Sequence, residues 1–272
     1  MSTGTYDIAI IGGGIAGASV GYRLVQEGFS VLLLESEDGP GQHTTGRSAA
    51  VYTQTYGNAV IRGLTVAGET FFSDPPPGFC DYPLLEPRGV LFVGTDEQSS
   101  DLEEALAEGQ QFVPSVRKVS SESVRDIVPI LRPSAVSGGA VFEPEACDID
   151  VDVLFQGFRR GFEAQGGTLV CKAAVNALQH RGDHWDIGTG NGETYRAEII
   201  VNAAGAWCDE VAALAGAAPV GLVPKRRTVV LIEPPPEHSI TQWPVVIGVA
   251  EDFYFKPQSG LLLCSPADET PS

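Results

Sequence analysis

Gly12, Gly14 and Gly17 stand in the run IIGGGIAGAS (residues 10–19) with the spacing G-x-G-x-x-G. Three glycines so placed suit a pyrophosphate. Gly12 permits a tight turn, Gly14 lets a phosphate approach the backbone, and Gly17 lets a helix lie close on the preceding strand. A helix starting here would turn its free N–H groups and the positive end of its dipole toward the phosphates. Glu35 follows 23 positions after Gly12, close to the roughly 20 expected of an acid that accepts hydrogen bonds from ribose hydroxyls. An acid at that point disfavours a 2′-phosphorylated nucleotide and leaves NAD and FAD both open.

Other chemistries find less support. The five cysteines (Cys80, Cys147, Cys171, Cys208 and Cys264) are scattered, odd in number and free of CxxC pairs. They read as reduced thiols, with no metal site. His180 and His184 have the spacing of neighbours on a helix, but they flank RGD, which reads as a turn between strands. A net charge of −18 should repel nucleic acid and anionic lipid. No apolar run is long enough for a transmembrane segment, and the N-terminus has no secretory pattern. The reading is a cytoplasmic protein. Of the 272 residues, 43% are hydrophobic and 19% charged, ordinary for a globular chain with a sizeable core.

The elements that must position these residues are legible in the apolar pattern. YDIAII predicts a strand, residues 15–27 a helix stopped by Gly28, and SVLLLE (30–35) a strand buried on both faces, together one βαβ unit. A Gly/Ser/Thr-rich loop (36–50) follows. Helices are expected over 59–72, over 96–112, over 120–131 capped by Ser120 or Ser121, and from Asp150 to Gly166–Gly167. Residues 89–95 predict a strand. TLV, AAVNALQHR, HWDIGTG and ETYRA predict a strand and a meander, EIIVNAAGAWCDEVAALAG a strand, a small-residue turn and a helix, and residues 227–266 four further strands.

With these elements in place, seven strings, GIAGAS, TGRSAA, DPPPGFC, DID, VNAAGAWCD, PKRR and FYFKP, make the chain similar to the D-amino-acid oxidase superfamily of FAD-dependent oxidoreductases. They resemble most its D-arginine or catabolic D-amino-acid dehydrogenase branch, and the likeness runs through essentially the whole chain. It implies an α/β fold in which a Rossmann-like FAD-binding domain is interleaved with a β-sheet-rich substrate domain. Expected segments are 1–75 and 148–219 for FAD and 76–147 and 220–272 for substrate. It implies FAD contacts at Gly12, Gly14, Ala16, Gly17, Glu35 and Ser36, and along Gln42, His43, Thr44, Thr45, Gly46, Arg47 and Ser48. Val175 would meet the adenine, and Ala204 and Gly205 the flavin. It also implies that an arginine and tyrosines hold a substrate carboxylate: Arg227, preferred over Arg226 because adjacent strand residues face opposite ways, with Tyr254 and Tyr56. Ser48 and Thr53 become candidates for hydrogen bonds to the amine or the ring. The plain alternatives are a solvated basic run at KRR and packed aromatics at the two tyrosines.

The implied activity is oxidative deamination of a D-amino acid to a 2-oxo acid and ammonia by hydride transfer to flavin N5. The electron acceptor (quinone, dye or oxygen) stays open. A glycine/sarcosine-type amine oxidase, a 2-hydroxy-acid dehydrogenase on the same fold and an inactive flavin-binding fragment remain alternatives. Val51 and Val90 stand where the D-arginine branch has a histidine and an acid, and an apolar wall favours neutral substrate side chains. Members of the family are expected to run well beyond this length, so the sequence reads as C-terminally truncated.

Overall fold

In the computed structural model, which describes residues 4–272, the chain forms two compact units, each built from three segments. The first comprises the residues up to Ala49, Pro75–Leu84 and Asp150–Pro224; the second comprises Ala50–Asp74, Leu85–Ile149 and Lys225–Ser272. Relative to the segments expected from sequence, 50–74 falls in the second unit and 76–84 in the first.

A six-stranded sheet organises the first unit, in the order Val175–His180, Trp185–Thr189, Thr194–Asn202, Thr5–Ile11, Val31–Leu34, Thr168–Val170. The last four are parallel and the first three form an antiparallel meander. All four residues of Val31–Leu34 are buried, as a strand covered on both faces requires. Alternate residues feed two cores: Ala9, Ile11, Leu32 and Leu34 on one face, Ile8, Ile10, Val31 and Leu33 on the other. The helices Ile15–Gln26 and Val151–Ala164 pack together, and the absence of a side chain at Gly21 admits the buried ring of Phe162. Asp150 caps the second helix by accepting the Val153 N–H at 2.9 Å. The RGD stretch is a turn closed by Arg181 N–H to His184 O at 2.7 Å, so His180 and His184 do not share a helix face.

The second unit carries a seven-stranded sheet, ordered Val230–Ile232, Leu261–Ser265, Tyr254–Gln258, Val245–Gly248, Val90–Gly94, Gly139–Glu143, Arg117–Val119. Its neighbours are antiparallel except Val245–Gly248 beside Val90–Gly94. Register places Tyr254, Ile247, Phe92 and Val141 side by side across four strands. Directly paired residues share a face, and Glu143, two residues beyond Val141, lies on it too. The opposite face buries Leu91, Val93, Val246 and Trp243 against Val124 of the short helix Ser121–Ile127.

Some elements differ from the expectation. The helix expected over 96–112 opens with a 3₁₀ turn, Asp96–Gln98, capped by Thr95, and becomes α-helical only over Ser99–Gly109. The strand expected over 227–233 narrows to Val230–Ile232, with Lys225–Arg226 a separate two-residue strand before it; between the two, Asp268 accepts both the N–H and the hydroxyl of Thr228. ETYRA and EIIVN are one continuous strand, Thr194–Asn202. No helix among the described residues is long and apolar enough to cross a membrane.

Candidate functional site

The glycine turn behaves as its spacing predicts. Gly12 has φ +107°, and a Cβ on it would stand 2.4 Å from the Ala203 carbonyl oxygen. A Cβ on Gly17 would stand 1.9 Å from the Gly12 carbonyl oxygen. These two positions are glycine because backbone occupies the space. Gly14 differs, because its nearest neighbour would be the Thr45 hydroxyl at 3.3 Å, so its missing side chain leaves room rather than relieving a clash.

The helix Ile15–Gln26 has no side-chain cap from its own N-cap, Gly14. Thr45 serves instead, its Oγ1 accepting the Ile15 N–H at 2.9 Å. The N–H groups of Gly14 and Ala16 meet no acceptor among the described residues, and such unpaired donors at a helix N-terminus suit a phosphate.

Glu35, buried at the end of the strand Val31–Leu34, faces this turn. Its Oε2 accepts the Gly13 N–H at 2.9 Å; its Oε1 accepts the Ser36 hydroxyl at 3.0 Å and the Glu37 N–H at 2.9 Å. A carboxylate offers about four acceptor positions, so three protein donors fix its orientation and leave capacity for a ribose hydroxyl. Ser36 thus orients Glu35. The segment before Val175 is tied to the same corner: Ala173 N–H donates to Glu35 O at 2.8 Å and Lys172 N–H to Glu37 O at 2.9 Å.

The loop 42–48 and the turn after Asn202 meet through His43. Its Nε2 lies 3.0 Å from Glu37 Oε1, and its ring packs on Trp207 with centroids 4.8 Å apart. Asn202 shapes the turn, its side chain donating to Cys208 O at 2.7 Å and accepting the Ala204 N–H at 3.3 Å. Gly205 has φ +56° with open space where a Cβ would be. Gln42, Thr44, Gly46, Arg47 and Ser48 are exposed, around the 3₁₀ turn Thr45–Arg47. Glu37 and Trp207 were not singled out from sequence. The donor set in the first unit fits an adenine dinucleotide: two free N–H groups at a helix start and an oriented buried carboxylate at the next strand end.

The other expected residues lie in the second unit. Tyr254 is half-buried beside Ile247 and Ser265. Tyr56 is 43% exposed, and its hydroxyl donates to Glu251 at 3.4 Å. Burial, with the Glu251 carboxylate, pushes its phenol above the ordinary value against a smaller opposing pull from Arg227, so it stays a neutral donor. Arg227 lies just past the strand Lys225–Arg226 and reaches Glu269 at 3.2 Å, a carboxylate that Lys225 also engages. Lys225 and Arg227 therefore share a side, as alternate residues do. The Thr53 hydroxyl donates to Glu143 at 2.6 Å. Val51, Val90, Ala146, Val245 and Ile247 form one apolar cluster, with Val90 wholly buried.

Glu143, Glu251 and Glu269 went unnoticed in the sequence. The first is 90 positions from Thr53, and no spacing rule connects them. A cavity of about 300 Å³ lies within this unit, lined by Tyr56, Phe92, Val141, Glu104, Glu143 and Glu251 among others. No group of three or more metal-ligating side chains occurs among the described residues.

A family model described as FAD dependent oxidoreductase (DAO) matches residues 7–272. An L-2-hydroxyglutarate dehydrogenase of Escherichia coli O17:K52:H18 is 26% identical over 225 residues, 79% of this chain and 51% of that protein. An N-methyl-L-tryptophan oxidase of Shigella dysenteriae serotype 1 is 24% identical over 209 residues, 76% of this chain and 55% of that protein. The chain thus spans about half the length of the curated relatives it matches. Among solved structures, glycine oxidase from Geobacillus kaustophilus superposes with a TM-score of 0.81 at 20% identity, covering 98% of this chain and 72% of that one. FAD-bound L-alpha-glycerophosphate oxidase from Mycoplasma pneumoniae gives 0.84 at 19% identity, over 96% and 71%. The relatives named here are not D-arginine dehydrogenases, the branch that the sequence strings suggest; the match supports the family and not that branch.

Proposed function

The chain belongs to the family of FAD-dependent oxidoreductases, and from that premise we propose that it takes part in oxidising the α-carbon of an amino acid with a neutral side chain, the D-enantiomer first, to the 2-oxo acid and ammonia. When bound, FAD supplies the acceptor for the α-hydride. Everything else is assigned to the protein. The N–H groups of Gly14 and Ala16 hold the pyrophosphate, and Glu35 takes the adenosine ribose. The segment ending at Val175 meets the adenine, and Ala204 and Gly205 line the flavin. Arg227 suits a substrate carboxylate, because a guanidinium matches it with two parallel hydrogen bonds. A carboxylate arriving there shares or displaces Glu269. Tyr56 and Tyr254 add neutral hydroxyl donors. After hydride loss the imine is hydrolysed by water, which needs no buried acid–base pair.

The neutral side chain rests on Val51 and Val90, which stand where the D-arginine branch has a histidine and an acid; Val90 is packed out of reach in an apolar cluster with Ala146 and Val245, so neither position offers a charge to pair with a basic substrate group. D-configuration rests on the sequence strings alone. A second reading, oxidation of a 2-hydroxy acid, is favoured by the 26% identity to L-2-hydroxyglutarate dehydrogenase. Amine oxidation of the glycine or sarcosine type is the nearer variant of the first. Location in the cytoplasm belongs to the same proposal.

The test is anaerobic. The purified, FAD-loaded protein is mixed with D- and L-leucine, D- and L-methionine, D-arginine, an N-methyl amino acid and both enantiomers of 2-hydroxyglutarate, and loss of the oxidised-flavin absorbance is followed. Fastest bleaching by D-leucine or D-methionine is expected. Turnover of D-arginine far above either rejects the neutral side chain, and bleaching by the hydroxy acid alone moves the assignment to the second reading. A colourless protein that takes up no added FAD rejects catalysis by this chain. Oxygen uptake compared with dye reduction then identifies the acceptor.

A further inference from the structure

We propose that Glu143 is the positioning residue of the loop that carries Tyr56, an inference that rests on the substrate role assigned above to that tyrosine. Glu143 closes the strand Gly139–Glu143 and is only 2% exposed. A carboxylate so deeply buried normally needs a cationic partner, yet no salt bridge reaches it among the described residues. Three donors from one short stretch of chain satisfy it instead. Thr53 Oγ1 donates to Oε2 at 2.6 Å, Thr55 Oγ1 to the same oxygen at 2.5 Å, and the Gln54 N–H to Oε1 at 3.0 Å.

The three consecutive residues end directly before Tyr56. All three bonds have a carboxylate acceptor, the stronger class, and together they pin the backbone of a segment that is otherwise tied by the two-residue strand Val51–Tyr52 behind it and by the Gln54 side chain, which donates to the Tyr52 hydroxyl at 3.1 Å and to Glu69 at 3.2 Å. Beyond Tyr56 the next regular element begins only at Ala59, after Gly57 with φ +83°. Tyr56 itself is held by one long bond to Glu251. Its position at the wall of the 300 Å³ cavity, which Thr55 and Glu143 also line, is therefore set from behind, by Glu143. The side chain lies on the same sheet face as Phe92, Val141 and Tyr254. The carboxylate thus registers the loop against the sheet that carries the second tyrosine.

Hydrogen exchange read residue by residue, together with steady-state kinetics, tests this on the FAD-loaded protein. In Glu143→Ala the Gln54 amide should exchange at least about tenfold faster, with the sheet amides of 90–94 unchanged, since one charge-assisted bond is lost there. KM for the best substrate should rise about tenfold with kcat within about threefold, as loss of uniform binding requires. Glu143→Gln keeps the volume and one acceptor oxygen; it should fall between wild type and Glu143→Ala in both readouts, and it serves where the alanine variant does not fold. Unchanged exchange at Gln54 in both variants overturns the proposal. So does a loosened loop with KM unmoved, provided Tyr56→Phe does raise KM. If Tyr56→Phe leaves KM unmoved on every substrate of the panel, the substrate role of Tyr56 fails instead, and the positioning role falls with it.

Discussion

Tyr195 shows how a single side chain couples this fold to pH. It is 3% exposed, and burial, helped by a hydrogen bond to Glu193, pushes its phenol from 10.0 up to about 12. In the unfolded chain the group ionises near its ordinary value; in the folded chain it keeps its proton longer. The folded state binds more protons between those values, so its stability is full below pH 10 and falls as pH rises toward 12. Tyr195→Phe has no proton to lose. Urea midpoints compared at pH 9 and pH 11 should fall less in Tyr195→Phe than in wild type, and equal falls would remove Tyr195 as the cause. Asp148 is a different residue-scale solution: one carboxylate answers both Arg88, at 2.6 Å, and the buried Lys256, which leaves neither cation alone in the interior.

At the scale of elements, the strand–turn–helix from Thr5 to Gln26 separates two uses of glycine. Gly17 is filled by the Gly12 carbonyl, so Gly17→Ala must move backbone and should cost roughly 1–3 kcal/mol of stability or more. A Cβ on Gly14 would meet the Thr45 hydroxyl at 3.3 Å, a side-chain contact that a shift of a few tenths of an ångström relieves. Gly14→Ala should keep the melting temperature of the apo-protein within a degree or two while weakening FAD about 10- to 100-fold, the cost of disturbing a phosphate held by charge-assisted bonds. Thermal melts of the apo-proteins and fluorescence titration with FAD check both. Equal effects of the two substitutions on both readouts would show that the turn does not distinguish fold from cofactor. Thr45, supplying the helix cap from 30 positions away, ties the loop 42–48 to the same helix start.

For the whole molecule, the cofactor residues assigned to the nucleotide all lie in the first unit and the substrate tyrosines and Arg227 in the second. Ligand binding to a folded state adds stability by mass action, about 2.7 kcal/mol at a hundredfold excess over Kd. FAD at that excess should raise the melting temperature by several degrees. The accompanying slowing of hydrogen exchange should be greatest at residues 12–17 and 35–37. A rise with no slowing at those residues would place the nucleotide elsewhere. The net charge of −18 opposes compaction by self-repulsion, and it gives no help to an anionic cofactor, so the local donors of the glycine turn must supply the attraction.

The amino-acid sequence alone determined the glycine turn, helix start and strand end to which the nucleotide is assigned in the proposal above. Gly12, Gly14, Gly17 and Glu35 lie within one βαβ unit, where turn, helix start and strand end have a fixed local spacing, so spacing along the chain is also spacing in space. The parallel strands were legible for the same reason: Val31–Leu34 is apolar at each position because both its faces are covered. The tertiary structure alone decided the rest. Glu143 meets Thr53 and Lys256 meets Asp148 between segments that do not pair in one sheet, and Arg227 meets Glu269 beside the pairing of Lys225–Arg226 with Thr270–Pro271. Sequence distances of 90, 108 and 42 positions carry no periodic signal. The chain's passage between units after Ala49, Asp74 and Leu84 was hidden likewise, because a crossing between two cores needs no composition different from an ordinary loop.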